Sequence, residues 1–334
     1  MILAVSSEED AHLQAVRRYL ERTGVTMTVV DLAEFPQQAQ VTLNFGGHHG
    51  CYESILSDYQ RDLNLGDCLV VWWRQPRPFL LHPELTDQHY RSFAYIECQA
   101  TIAGLWLALD AFWVNHPMRS EEAQRKPYQL KIAQQVGFSI PATLITNNPN
   151  RARAFVEQYG AEHTVYRAFS TTAHTWREAR LLSSQPMTLL DNVCYAPVIF
   201  QEYIPAHNDL YVVVVGNDLF AAVAPALCGD KIDTVGDLEP YPLTPAFADQ
   251  VRALVKRLGL VYGVVHMRIA QGGQPIFIEM DPEGAWLRIE EQTGLPITQA
   301  LARLLASQVQ HRRIVNSPVL TLGTKQCHML MSGE

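Results

Sequence analysis

Leu13, Val16 and Leu20 recur at helical spacing with polar residues between them, which predicts an amphipathic helix over residues 8–22 that ends at Gly24. Apolar runs of strand length flank it, at residues 1–5 and 25–32. Strand, helix and strand at this spacing open a parallel α/β layer. Residues 69–73 predict another strand, stopped by Arg74-Gln75-Pro76-Arg77-Pro78, where the prolines forbid continuation. No glycine-rich dinucleotide fingerprint follows the first strand, which argues against a Rossmann cofactor site.

Beyond Asn115-His116-Pro117, a plausible boundary, the pattern changes. A helix is expected over 120–136 with Ser120 as N-cap and Gly137 as terminator, then a short strand at 141–145 and a helix at 151–159. Strand-like segments follow at 164–168, 198–203, 211–215 and 219–224. A helix over 244–258 leads into strands at 261–269 and 275–280, joined by a Gly272-Gly273 turn, and a last helix spans 294–306. The chain has no internal repeat, and the segment from His311 to the end is weakly patterned.

Composition narrows the class. With 334 residues, 48% of them apolar and 18% charged, the chain reads as a globular protein of two or three packed subdomains. A formal charge of -8 leaves no basic excess for non-specific nucleic-acid binding. The six cysteines (Cys51, Cys68, Cys98, Cys194, Cys228 and Cys327) are scattered without a Cys-x-x-Cys pair, as expected of reduced thiols in a cytoplasmic protein. The start lacks the basic residues and long apolar core of a signal peptide. Glu97, Gln99 and Asp110 interrupt the most membrane-like stretch, residues 94–114, which is expected to be a buried helix and not a span.

The most informative segment is Phe277-Ile278-Glu279-Met280-Asp281-Pro282-Glu283-Gly284. Strand alternation puts Glu279 and Asp281 on one face, with a proline then stopping the strand. Two carboxylates side by side at a strand end suit Mg²⁺ that carries nucleotide phosphates. They equally suit a solvated edge strand.

This segment, followed by Glu290-Glu291-Gln292-Thr293-Gly294-Leu295-Pro296-Ile297, resembles the C-terminal signature of ATP-grasp ligases, nearest to ribosomal-peptide maturases of the microviridin (graspetide) type. The resemblance extends over most of the chain. Val71-Trp72-Trp73-Arg74-Gln75-Pro76 is similar to the pre-ATP-grasp domain of those maturases, and Lys126-Pro127-Tyr128-Gln129-Leu130 through Ile140-Pro141-Ala142-Thr143-Leu144-Ile145-Thr146-Asn147 to their central domain. Gln201-Glu202-Tyr203-Ile204-Pro205 is similar to the linker that forms the adenine slot. Each motif is short, and their shared order and spacing carry the resemblance.

It implies a fold of mixed α/β and α+β class, an ATP-grasp fold behind an N-terminal pre-ATP-grasp α/β domain. The implied divisions are residues 1–115 for that domain, 116–196 for the central subdomain, 197–310 for the C-terminal subdomain and 311–334 unassigned. It also implies that ATP is held by Lys126, Arg167, Gln201, Glu202, Tyr203, Ile204 and Asp209, the last on the ribose. Asp209 also suits an ordinary loop residue, and Lys126 a solvated helix lysine.

Departures from the family matter as much. Arg167 stands where lysine is usual, and Asp209-Leu210-Tyr211 replaces Asp-Leu-Arg, which removes a guanidinium near the transferred phosphoryl group. His266-Met267-Arg268 replaces Asp-Phe-Arg, so histidine stands where a metal-binding aspartate is usual, while Asp281 replaces an asparagine. The metal set becomes His266, Glu279 and Asp281, with one carboxylate moved across the site and Mn²⁺ better tolerated beside Mg²⁺. Arg268 and Arg167 are the expected catalytic charges.

The implied activity is ATP-dependent formation of an ester or amide through an acyl phosphate, macrocyclising a ribosomal precursor peptide held by its leader and core, with a homodimer admitted. A small-molecule carboxylate–amine ligase and a degenerate nucleotide- or peptide-binding partner protein are the competing readings. His48-His49 reads as a loop, Arg74 and Arg77 as a carboxylate site or a solvated turn, and Trp72, Trp73, Trp106 and Trp113 as core.

Overall fold

The computed structural model describes residues 1–46, 52–58, 61–169, 179–185, 187–226 and 236–315. His48-His49, Cys51, Cys228, Cys327 and the end of the tail, from 316 on, lie outside the described residues. The chain divides into two compact units, Met1–Pro117 together with the segment from Thr298 on, and Met118–Ile297.

In the first unit, β1 (Ile2–Val5), α1 (Ala11–Arg22) and β2 (Met27–Val30) follow the expected order. Asp10 sets the start of α1, its carboxylate accepting from the Leu13 N–H at 2.7 Å. Next come β3 (Gln40–Phe45), β4 (Tyr52–Ser57) and β5 (Asp62–Asn64), a separate antiparallel sheet that the apolar pattern did not announce. β6 (Val70–Trp73), α2 (Gln88–Ala108) and β7 (Phe112–Val114) complete a parallel sheet of order β2-β1-β6-β7.

The run 94–114 is not one buried helix. α2 starts earlier, where Asp87 accepts from the His89 and Tyr90 N–H groups, and residues after Ala108 turn into β7. Cys98, Ile102, Leu105 and Trp106 enter the core, whereas Phe93, Ile96 and Leu107 are exposed. A helix that is apolar on more than one face buries only the face it packs. Trp72 is also buried, and Trp73 and Trp113 pack against the same core. Arg74 is buried beside His12 and Asp10 and so is not a solvated turn residue, whereas Arg77 is exposed in the turn and pairs there with Asp31.

In the second unit the expected helix over 120–136 is two, α3 (Pro117–Gln124) and α4 (Lys126–Gln135). Pro127 has no N–H to donate and suits a first turn, so it restarts the helix at Lys126. β8 (Thr143–Thr146), α5 (Pro149–Tyr159), β9 (Thr164–Arg167), β10 (Arg180–Leu181) and β11 (Val198–Glu202) follow. Their strands form an antiparallel sheet ordered β10-β9-β11-β8, with Ala152 and Val156 of α5 packed on Phe200 and Tyr166.

β12 (Ala206–Val215), β13 (Asp218–Pro225), β14 (Glu239–Pro240), α6 (Pro245–Arg257), β15 (Tyr262–Ala270) and β16 (Pro275–Asp281) come next. These strands form a second antiparallel sheet, ordered β14-β13-β12-β15-β16, whose inner face packs with α4 and α6 around Leu130, Val212, Leu254, Met267 and Phe277. The last expected helix is α8 (Ile297–Val315), and a short α7 (Leu287–Thr293) that was not expected precedes it, closed by Gly294 in a left-handed conformation.

Gly263 on β15 shows how tightly β15 and β16 approach. A Cβ there would lie 2.0 Å from the Met280 methyl and 2.9 Å from the Asp281 carbonyl oxygen. Gly263→Ala is therefore expected to destabilise the protein by ~1–3 kcal/mol, read as a lower denaturant midpoint. An unchanged midpoint would mean that this contact relaxes freely.

Candidate functional site

Residues opposite one another on antiparallel strands share a face. Tyr211 on β12 faces His266 on β15, His266 faces Glu279 on β16, and Asp209 faces Arg268. These five side chains therefore stand on one face, while Leu210, Val212, Met267 and Met280 fill the core on the other. A bulge fixes that parity. Register jumps from His266–Glu279 to Met267–Phe277, leaving Ile278 as the extra residue. Phe277 and Met280, three positions apart, can then both be buried, at 0% and 1% exposure. Glu279 and Asp281 keep the shared face expected of them.

The bulge also frees the Ile278 carbonyl, which accepts from Lys126 Nζ. Lys126 is buried at the start of α4, and its Nζ lies 3.9 Å from Glu279 Oε2. Arg167, at the end of β9, donates from Nη2 to the same oxygen at 2.9 Å. A cation from the helix packed on this sheet and one from the other sheet thus converge on one carboxylate. Burial opposes the charge on Glu279, but Arg167, Lys126 and His266 outweigh it and bring its pKa down to about 2.

Gln129 completes this junction and escaped the sequence reading. β16 is a sheet edge, and Gln129 Nε2 donates to the Met280 carbonyl at 2.6 Å while its Oε1 accepts from the Met280 N–H at 3.2 Å. The available signal was position, since Lys126 and Gln129 lie three apart on α4 and so share a helix face.

Tyr203-Ile204-Pro205 links the two sheets. Glu202 and Tyr203 donate their N–H groups to the Ala142 and His163 carbonyls, at 2.9 and 2.7 Å. Among the described residues no backbone carbonyl accepts from the Ile204 N–H. Gln201 is buried and donates to Thr143 Oγ1 at 3.0 Å, so its side chain serves the sheet. Beside the link, Asp209 Oδ1 accepts from Arg268 Nε at 3.0 Å and lies 3.3 Å from His266 Nε2. Burial works against the Asp209 charge, yet His266 and Arg268 hold its pKa below the ordinary value. Arg268 Nη1 donates to the Ile204 carbonyl at 3.1 Å, and its guanidinium lies over the Tyr203 ring at 5.2 Å. The His266 ring stacks on Tyr211, with centroids 4.8 Å apart and planes 5° from parallel. A cavity of about 40 Å³ lies between the link, Arg167, His266 and Arg268. That is room for water; a nucleotide would fit only if the walls separated.

The donor set decides how a metal fits. Among the described residues no three His, Cys, Asp or Glu side chains form a ready cage. Glu279 stands at the cleft with its charge intact, and Asp281 is exposed at the strand end, where Oδ1 accepts from the Glu283 N–H at 2.9 Å. One or two carboxylates with phosphate oxygens are what Mg²⁺ uses, so the set fits a nucleotide-borne ion. His266, turned to Asp209 and stacked on Tyr211, adds no oxygen to it.

The two sheets with a cleft between them, preceded by a parallel α/β unit, form an ATP-grasp fold with a pre-ATP-grasp domain. Residues 1–121 match the family described as the MvdD pre-ATP grasp domain. No curated protein matches the chain. It is similar to the macrocyclase MdnC from Microcystis aeruginosa MRC, solved with precursor peptide MdnA, at 27% identity and TM-score 0.80, over 92% of this chain and 99% of that one. MdnB from the same organism is 27% identical with TM-score 0.77, over 91% and 98%. A Chryseobacterium gregarium RiPP-associated ATP-grasp ligase, solved with ADP and a leader and core peptide, is 23% identical with TM-score 0.82, over 92% and 96%. No helix among the described residues is long and apolar enough to cross a membrane.

Proposed function

We propose that this chain is an ATP-dependent ligase that activates a side-chain carboxylate of a ribosomally made precursor peptide and joins it to a hydroxyl or amine, closing a ring. The convergence of Lys126 and Arg167 on Glu279 carries this reading. A buried lysine and an arginine that both reach Glu279 bring two positive charges together in the cleft, which suits phosphate oxygens.

In this reading the Tyr203-Ile204-Pro205 link holds adenine, Ile204 supplying the backbone N–H, and Lys126 and Arg167 hold the phosphates. Mg²⁺, with Glu279 and Asp281 supporting it, would supply charge neutralisation at the phosphoryl group being transferred. A carboxylate oxygen of the peptide attacks the γ-phosphorus and ADP leaves, giving an acyl phosphate. Arg167 and Lys126 offset the charge that spreads over the transferring group. A second side chain then attacks the acyl carbon, releasing phosphate and a proton as the ester or amide forms. Holding both side chains on one peptide makes that attack intramolecular.

The peptide assignment rests on the likeness to MdnC, whose structure contains a precursor peptide, and on one surface of this chain. An apolar cavity of about 290 Å³ lies between β11 and the segment Met187–Tyr195, with Phe169, Met187, Leu189 and Tyr195 exposed nearby. Such a patch suits an apolar stretch of peptide.

The test is co-expression with a cognate precursor followed by mass spectrometry. The peptide is expected to lose one water for each bond formed, and to accelerate ADP release from an enzyme that hydrolyses ATP slowly alone. Ligation of free amino acids with the peptide ignored would move the function to a small-molecule ligase. Nucleotide binding without turnover under any condition would favour a partner protein.

A further inference from the structure

Arg268 is 4% exposed and satisfied on two of its three nitrogens, by Asp209 Oδ1 through Nε and by the Ile204 carbonyl through Nη1. The third, Nη2, is buried and no acceptor among the described residues stands in hydrogen-bond geometry to it, although the Tyr203 side chain is close enough to favour the guanidinium charge. A guanidinium N–H left unpaired away from water carries a desolvation penalty that an arriving oxygen would relieve. Arg268 also lines the small cavity beside the Tyr203–Pro205 link, the side from which a ligand oxygen would approach it once the walls part.

The chemistry around Nη2 selects the oxygen. Asp209 already balances the Arg268 charge, so a phosphate or carboxylate placed here would face the Asp209 anion and be repelled. A neutral hydroxyl meets no such repulsion. It can accept from Arg268 and donate to Asp209 at once, a pairing that neither anion offers. The position agrees. Arg268 is tied to the link that would hold the base, whereas Lys126 and Arg167, which would hold phosphates, meet Glu279 on the neighbouring strand.

We infer that Arg268 is a ribose-reading residue, its buried Nη2 donating to a 2′- or 3′-hydroxyl of the nucleotide that Asp209 also contacts. This rests on the nucleotide reading of the cleft and deepens it. It moves Arg268 from charge stabilisation at the acyl phosphate to discrimination of ribonucleotides from deoxyribonucleotides.

Calorimetry on the full chain with Mg²⁺ and ATP, 2′-deoxy-ATP or 3′-deoxy-ATP tests it. At least one deoxy analogue is expected to bind ~10-fold more weakly than ATP, because losing its hydroxyl leaves the guanidinium unpaired. A loss of about fivefold or more for either analogue supports the inference, and ATP binding with both analogues inside that range overturns it while leaving the nucleotide site intact. Failure of ATP itself to bind removes the nucleotide reading and this inference together. Arg268→Lys, checked for folding by thermal melting, is expected to bring the ATP to deoxy-ATP ratio towards one. A folded variant with the ratio unchanged assigns the discrimination to Asp209 alone and overturns the role of Arg268. If the variant does not fold, the analogue series on the unmodified chain decides.

Discussion

Glu279→Gln is expected to leave the protein folded and to lower peptide-dependent ATP turnover by ~10²-fold or more. Glutamine keeps the shape of the side chain but removes a carboxylate that Lys126 and Arg167 both reach and that would help hold a nucleotide-borne ion. Both cations remain, so ATP should still bind in calorimetry while ADP release and loss of water from the peptide collapse. Turnover within a few-fold of the unmodified enzyme would remove Glu279 from the chemistry. The same group gives a pH dependence. Its folded pKa is lowered from 4.5 to about 2, so the stabilisation it contributes is complete above about 4.5 and is lost as pH falls towards 2. Thermal melts of Glu279→Gln should lack that part of the acid sensitivity.

Lys126→Met is expected to weaken ATP binding about ten- to hundredfold, corresponding to ~1.5–3 kcal/mol for a charged hydrogen bond in a partly dry cleft. Methionine fills much of the same volume, so the packing of α4 should survive. The Ile278 carbonyl loses its lysine donor, and a melt beside the titration separates lost binding from lost fold. Undiminished ATP affinity in a folded variant would show that Lys126 serves only the bulge.

Much of the fold was legible because its signals are local. The spacing of Leu13, Val16 and Leu20 gives α1, and Gly272-Gly273 joins β15 and β16 where a hairpin was expected. The misses come from interactions that a local pattern does not encode. An apolar run reports that a segment is greasy, not how much of it finds a partner, so the exposure of Phe93 and Ile96 on α2 was invisible. The helix break before Lys126 was readable from Pro127, yet the apolar positions on either side continued the period and hid it.

The site divides in the same way. Glu279 and Asp281 were found by alternation, and the bulge at Ile278 lies just before them, so it did not disturb their shared face. Its effect reaches backwards, to Phe277, which simple alternation would have set on the side of Glu279. The neighbours of Arg268 depend on register between β12 and β15, separated by some distance along the chain, and no residue type near Arg268 foretells a pairing with Asp209 and the Ile204 carbonyl.

The carbonyl freed at the bulge has a thermodynamic consequence. By docking on Ile278, the Lys126 side chain gives up its rotamer freedom when the protein folds, before any nucleotide arrives. Ordering a lysine costs ~1.5–2 kcal/mol of conformational entropy. That cost is met once, at the expense of the resting protein's stability, and drops out of the binding step. A ligand entering the cleft then finds its ammonium group already aimed, and a short irregularity in one edge strand has shifted free energy from stability to affinity.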